Sequence, residues 1–175
     1  MTGSGYREVT VADVLAAARL STRAFYRHFE SKEALLIALM RRDAEAVGRT
    51  LERAVADAAA PEDALAAWLD AYLAVFYEPK RASRTTLYAS PGARASLVVT
   101  TEQAQLRQIV ARSLVDTLRA GHRSGVVHSP VPEADARSIL ALVASAAAPG
   151  GPGTQAAARD HVRRFAWPAL GLLAG

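Results

Sequence analysis

The run from Ser31 to Val55 limits the possible folds more than any other part of the chain. Its apolar residues Leu36, Leu39, Met40, Val47, Leu51 and Val55 recur at the three-to-four-residue spacing of one helix face, and Ser31 is well suited to cap the first turn. An amphipathic helix of that length links the two ends of a small protein. Further helix starts follow. Pro61 with Glu62 and Asp63 opens a pattern through Leu65, Trp68, Leu69, Tyr72, Leu73 and Phe76, which Pro79 ends. A short helical or irregular piece near 85–88 precedes Ser90-Pro91-Gly92. A long pattern then runs through Leu97, Leu106, Ile109, Val110, Leu114 and Leu118 until Gly121 and Gly125 close it. Pro132-Glu133 starts another helix, and Thr154 starts the last, beyond the break Pro149-Gly150-Gly151-Pro152-Gly153. Pro168 is expected to kink or shorten it.

With two short helices ahead of Ser31, the count comes to about eight helices with no strand signal. Composition agrees: 51% of the residues are apolar but only 6% aromatic, and alanine supplies much of the difference, which favours closely packed helices. The expected fold class is therefore all-α. No run of about 18 or more uncharged apolar residues occurs, and the start lacks a basic segment followed by an apolar one, so a soluble, cytoplasmic protein is expected. There is no cysteine, and His28, His122, His128 and His161 show no paired ligand spacing, so neither a metal nor another cofactor is expected. The chain also lacks a strand-turn-helix serine, a phosphate-cradling glycine loop and a convincing carboxylate pair, which argues against an enzyme. A formal charge of +4 permits nucleic-acid binding without requiring it.

Residues 10 to 42 have the punctuation of a helix-turn-helix. Thr10 and Asp13 form a capping-box arrangement opening a helix over 11–18, Arg19-Leu20-Ser21 breaks it, and Ser21 caps a second helix from Thr22 to about Phe29. That second helix crowds Thr22, Arg23, Tyr26, Arg27 and His28 into two turns while Phe25 and Phe29 face inward. Arg23 can read a guanine edge or a phosphate, Thr22 and Tyr26 can donate to phosphates, and Lys32 sits where the next helix's N-terminus also favours an anion. On these features alone, a solvated helix hairpin with incidental arginines remains an equal alternative.

The run Thr10-Val11-Ala12-Asp13-Val14 through Ser21-Thr22-Arg23-Ala24-Phe25-Tyr26-Arg27-His28-Phe29-Glu30-Ser31-Lys32-Glu33-Ala34-Leu35 resembles the DNA-binding signature of the TetR/AcrR family of transcriptional regulators. The resemblance implies an N-terminal helix-turn-helix domain over 1–42, with the linking helix continuing to about 59, and a helical ligand-binding and dimerisation domain over 60–175. It implies phosphate or base contacts from Thr10, Thr22, Arg23, Tyr26, Arg27, His28 and Lys32. It implies also a helix ahead of Gly5-Tyr6, which is missing from this sequence. The function implied is a repressor of operator DNA that a small ligand releases. The alternative is a regulator-fold protein that binds a ligand or partner and has lost DNA binding.

In that family the equivalent helices surround a pocket, so Trp68, Tyr72, Phe76, Tyr88, Leu106 and Ile109 are expected to line a site for a small hydrophobic or aromatic ligand, with Arg107, Arg112, Asp116 and His122 as possible polar anchors. A homodimer is expected through two apolar stripes: Ile139, Leu142, Val143 and Ala146 on one helix, and Val162, Phe165, Ala166 and Ala169 on the next. Their small alanines would permit the close approach of a four-helix bundle between two chains. No membrane partner is expected.

Overall fold

A computed structural model of the chain describes residues 27–78 and 95–172. These form five α-helices, with no strand among the described residues: α1 (Lys32–Ala56), α2 (Pro61–Tyr77), α3 (Leu97–Arg123), α4 (Pro132–Ala146) and α5 (Gln155–Ala169). The all-α expectation holds. The two short helices expected ahead of Ser31 and the piece near 85–88 lie outside the described residues, as does the question of a missing first helix.

Local chemistry sets the ends of these helices. Ser31 Oγ accepts the Ala34 amide at 3.1 Å, so α1 begins where the serine satisfies a donor that the first turn leaves unpaired. Thr154 does the same for α5, accepting from the Ala157 amide at 3.2 Å. In α2 and α4 no side chain caps the start; a proline in the first turn, whose missing N–H leaves one fewer donor to satisfy, takes that role, with Glu62 and Asp63 or Glu133 and Asp135 set against the helix dipole. Helix α3 ends in a turn where the Gly125 amide donates to the His122 carbonyl and the Val126 amide to the Gly121 carbonyl, both at 3.1 Å, and Gly125 adopts φ +75. Pro168 does not kink α5 apart. It falls in the last turn, and the chain closes one residue later through Gly171 and the Leu172 amide, which donates to the Trp167 carbonyl at 2.9 Å.

Helix α3 runs through the body and packs on α1, α2 and α4, while α5 closes the bundle against α2 and α4. The main core joins Leu51 of α1, Leu65, Trp68, Leu69 and Leu73 of α2, Leu114 and Leu118 of α3, Ile139 and Val143 of α4, and Val162, Ala166 and Trp167 of α5. A smaller cluster of Met40, Val99 and Leu106, with Leu36, Ile37, Ala44 and Ile109 against it, fastens the first half of α1 to the first half of α3. On the same side Arg41 Nη2 reaches Glu102 Oε1 at 2.6 Å.

This core corrects part of the interface expectation. Ile139, Val143, Ala146, Val162 and Ala166 are all buried within one chain, so the stripes of α4 and α5 are covered by each other and by the rest of the bundle. Leu142 is half-buried, whereas Phe165 and Ala169 face out. Periodicity marked the apolar face of α4 and only part of that of α5, and it carried no information on what covers them.

Trp68 is fully buried, and its indole N–H donates to Ser113 Oγ at 3.0 Å across the α2–α3 contact. Removing either partner strands a polar group in the core. Ser113→Ala should cost about 1–3 kcal/mol in urea unfolding, and the double variant Trp68→Phe/Ser113→Ala should cost less than the sum of the singles, because both remove the same bond. Strict additivity would show that this bond does not hold the two helices together.

Candidate functional site

The end of the molecule expected to meet DNA is described only from Arg27 onward. Arg27 and His28 are exposed and Phe29 is half-buried, immediately ahead of the Ser31 cap. The capped first turn of α1 therefore stands directly beside two exposed, donor-bearing side chains. Of the other expected DNA contacts, Thr10, Thr22, Arg23 and Tyr26 lie outside the described residues. Lys32 is placed as the first residue of α1, and its side chain lies outside them too.

In the body, the expected ligand residues do not form one pocket. Trp68 belongs to the main core and Leu106 to the smaller cluster, where Ile109 packs against it. Tyr72 and Phe76 are half-buried and extend a ring stack along α2, with centroids 5.0 Å apart for Trp68–Tyr72 and 5.4 Å for Tyr72–Phe76. Tyr88 lies outside the described residues. What the structure offers instead are two clefts that none of these residues lines. One, of about 460 Å³, opens where α1 gives way to α2 above α3; the other, of about 400 Å³, lies between α3 and α4. Two of the four expected polar anchors, Arg112 and Asp116, line the second, and Asp116 lines the first as well. Sequence reasoning missed both clefts, because the first is walled by a turn and small side chains and the second mostly by polar side chains of α3 and α4, and neither set carries an apolar periodic signal.

Charges tie these elements together. Arg119 bridges Asp116 at 2.9 Å and Glu133 at 2.5 Å, joining α3 to α4, and its guanidinium is one reason the Glu133 carboxyl lies below the usual range, after its own backbone hydrogen bond. Arg159 of α5 stands 3.4 Å from Asp70 of α2, and Gln155 donates to the Asp70 carbonyl at 3.0 Å. Asp70 and Asp160 together hold the Arg159 guanidinium above its ordinary value. An outward strip on each of the last two helices is rich in small side chains: Ala141, Ala144 and Ser145 on α4 and Ala157 and Ala169 on α5 are exposed together with Phe165, and Arg137, Asp160 and Arg164 are exposed beside them. Phe165 is 53% exposed, with the Arg164 guanidinium over its ring and His161 beside it. No group of three or more potential metal ligands occurs among the described residues, and no described helix is long and apolar enough to cross a membrane.

A helical body entered through one long capped helix defines a class: an all-α bundle behind a short N-terminal segment. Comparison with known proteins specifies it further. The family model described as "Bacterial regulatory proteins, tetR family" matches residues 2–39. A TetR family transcriptional regulator, PfmR from Thermus thermophilus, shares the fold at a TM-score of 0.67 and 24% identity, covering 97% of this chain and 91% of that one. A bacterial regulatory protein in the tetR family from Rhodococcus RHA1 does so at 0.60 and 24%, covering 94% and 85%. No curated protein matches. The chain thus carries the N-terminal segment of the TetR family and has the fold of its transcriptional regulators, as the resemblance implied.

Burial pushes the Tyr72 phenol above its ordinary value near 10.0, against a smaller opposing pull from Arg107. The unfolded chain therefore loses this proton first. The stability that Tyr72 contributes is complete below about pH 10 and declines as pH rises through its folded value. The phenolate absorbance of the parent minus that of Tyr72→Phe should stay flat through pH 10 and rise only above it. A difference signal centred at pH 10 or below would show that the ring is not buried.

Proposed function

We propose that this protein is a DNA-binding transcriptional regulator that acts as a homodimer on operator DNA, represses by occupying it, and is released by a small apolar ligand. The observation that carries the reading is the tetR-family match over 2–39, leading without a gap into a capped helix that starts beside exposed Arg27 and His28. Binding rather than catalysis is the role, and a repressor of chromosomal operators works in the cytoplasm. A ligand can release DNA only by favouring the protein state that DNA does not, so coupling runs through the body's contacts with α1. The body supplies those contacts through the Met40–Val99–Leu106 cluster and the Arg41–Glu102 pair.

The dimer is assigned to the outward strips of α4 and α5, not to their buried stripes. One reading head binds weakly, whereas a two-fold pair engages two half-sites at once. An alanine-rich strip with one protruding Phe165 is suited to meet its own copy, because small side chains let helices approach and the aromatic ring gives a knob to bury. Ala166, at 5% exposure, is unsuitable as a probe of that interface, since a charge there would unfold the protomer.

Arg23→Ala and Tyr26→Phe should each weaken operator binding without loss of helix content, by about 1–3 kcal/mol where the lost contact reads a base, and binding should fall steeply with added salt. Parent-like binding by both variants at matched salt would overturn the DNA-binding assignment. Phe165→Glu should give folded monomers by light scattering and lose affinity for a palindromic operator. A dimer that survives this substitution unchanged would place the interface elsewhere.

A further inference from the structure

Near the end of the second third of α1, Gly48 is buried against α3. A helix interior favours alanine over glycine, which gives up more backbone freedom on folding, so a glycine in mid-helix needs a reason in its surroundings. Here the reason is proximity. A Cβ on Gly48 would stand 3.1 Å from Ile109 Cγ2, closer than ordinary carbon contacts, with the Ile109 carbonyl oxygen behind it at 3.8 Å and no atom of another helix besides these within 4 Å. Ile109 does not readily turn that methyl aside, because a β-branched side chain on a helix keeps to one χ1 setting.

The contact lies at a seam between two clusters. Toward the end of α1, the main core takes in Leu51, with Val47 and Val55 packed against it. Toward its start, Met40 joins Val99 and Leu106 in the smaller cluster, with Ala44 and Ile109 against them. The Arg41–Glu102 pair adds a surface tie there, which holds little by itself. Leu51 has no exposed surface and serves as the fixed point. At the rise of an α-helix, Gly48 lies about 4.5 Å from Leu51 along the axis and Lys32 about 28 Å. A few tenths of an ångström of separation forced at Gly48 therefore grows about sixfold, to about 2 Å at the start of α1, directed away from α3.

We propose that Gly48 is a positioning residue: its missing side chain sets the tilt of α1 on α3 and thereby the half-site spacing that a pair of reading heads accepts. When both helices of a two-fold pair tilt, each head moves by about 2 Å, a combined displacement comparable to the roughly 3.4 Å rise of one base pair. The effect on DNA rests on the dimeric regulator proposed above, whereas the tilt is a property of one protomer.

The chain contains no cysteine, so spin labels can be placed at chosen pairs of positions. Ala38→Cys with Gln105→Cys reports the first half of α1 against α3, and Arg53→Cys with Arg123→Cys reports the second; all four positions are exposed. With labelled protein diluted into unlabelled, dipolar distance measurements should show Gly48→Ala lengthening the first distance by about 1–2 Å and leaving the second in place. Adding Ile109→Ala, which removes the obstructing γ carbon, should restore the parental distance, whereas adding Ile109→Val, which keeps it, should not. Ile109→Ala alone should shorten the first distance, and it decides the question independently if Gly48→Ala does not fold. Duplexes selected from a random pool by the parent and by Gly48→Ala should share their half-sites and differ in spacing by about one base pair. Unchanged distances, equal shifts in both pairs, or rescue by Ile109→Val as complete as by Ile109→Ala would overturn the assignment of the tilt to Gly48. A tilted helix with parental spacing would overturn its role in operator choice. A parent that enriches no sequence would count against the DNA-binding reading, with the label distances still deciding what Gly48 does.

Discussion

The hydrogen bond from Trp68 to Ser113 is the constraint around which this body is arranged. An indole is the largest side chain a core can take, and it brings an N–H that must find an acceptor once water is gone. The acceptor fixes both the distance and the register of α2 on α3. Helix α3 in turn packs on α1 and α4, so the same contact determines where the long linking helix lies and where α4 begins. It also places Ser113, the serine that serves the tryptophan, in the lining of the cleft where α1 gives way to α2.

Alanine sets the second constraint. Where two helices must come close, a methyl group permits it, and Ala136, Ala146, Ala158 and Ala166 are buried in the contacts among the last three helices. The same residue faces outward on α4 and α5, where it produces a strip with little relief apart from Phe165. A chain rich in alanine can thus pack a tight interior and still present a smooth exterior suited to a copy of itself.

Helix ends were the most legible part of the sequence, because Ser31, Pro61, Pro132 and Thr154 act on their own first turns and need no distant partner. The burial of α4 and α5 was half legible. Spacing identified Ile139 with Val143 and Val162 with Ala166 as one face each, but whether a stripe meets its own chain or another is decided by parts of the molecule far away in sequence. Phe165 was drawn into that stripe although it lies about 60° around the helix from Val162, enough to turn a large ring into solvent. The cleft at the α1–α2 elbow was not legible at all. Aromatic residues drew attention to Trp68, whose size makes it a core residue, while the cleft is built from a turn and small side chains that resemble filler. The DNA-contacting residues were readable only through family resemblance, which supplies roles without geometry.

Helix α5 is fastened at both ends and along its side. The Tyr77 hydroxyl lies 2.7 Å from the Pro152 carbonyl just ahead of it, Gln155 and Arg159 reach Asp70, and the Leu170 carbonyl receives the His128 amide at 2.8 Å. Val162, Ala166 and Trp167 add a buried face between these ties. A protease that nicked the exposed Pro149–Gly151 bend would therefore cut the chain without releasing the helix. The two pieces would migrate together through a sizing column and part only in denaturant, so an intact elution profile is no proof of an intact backbone in this protein.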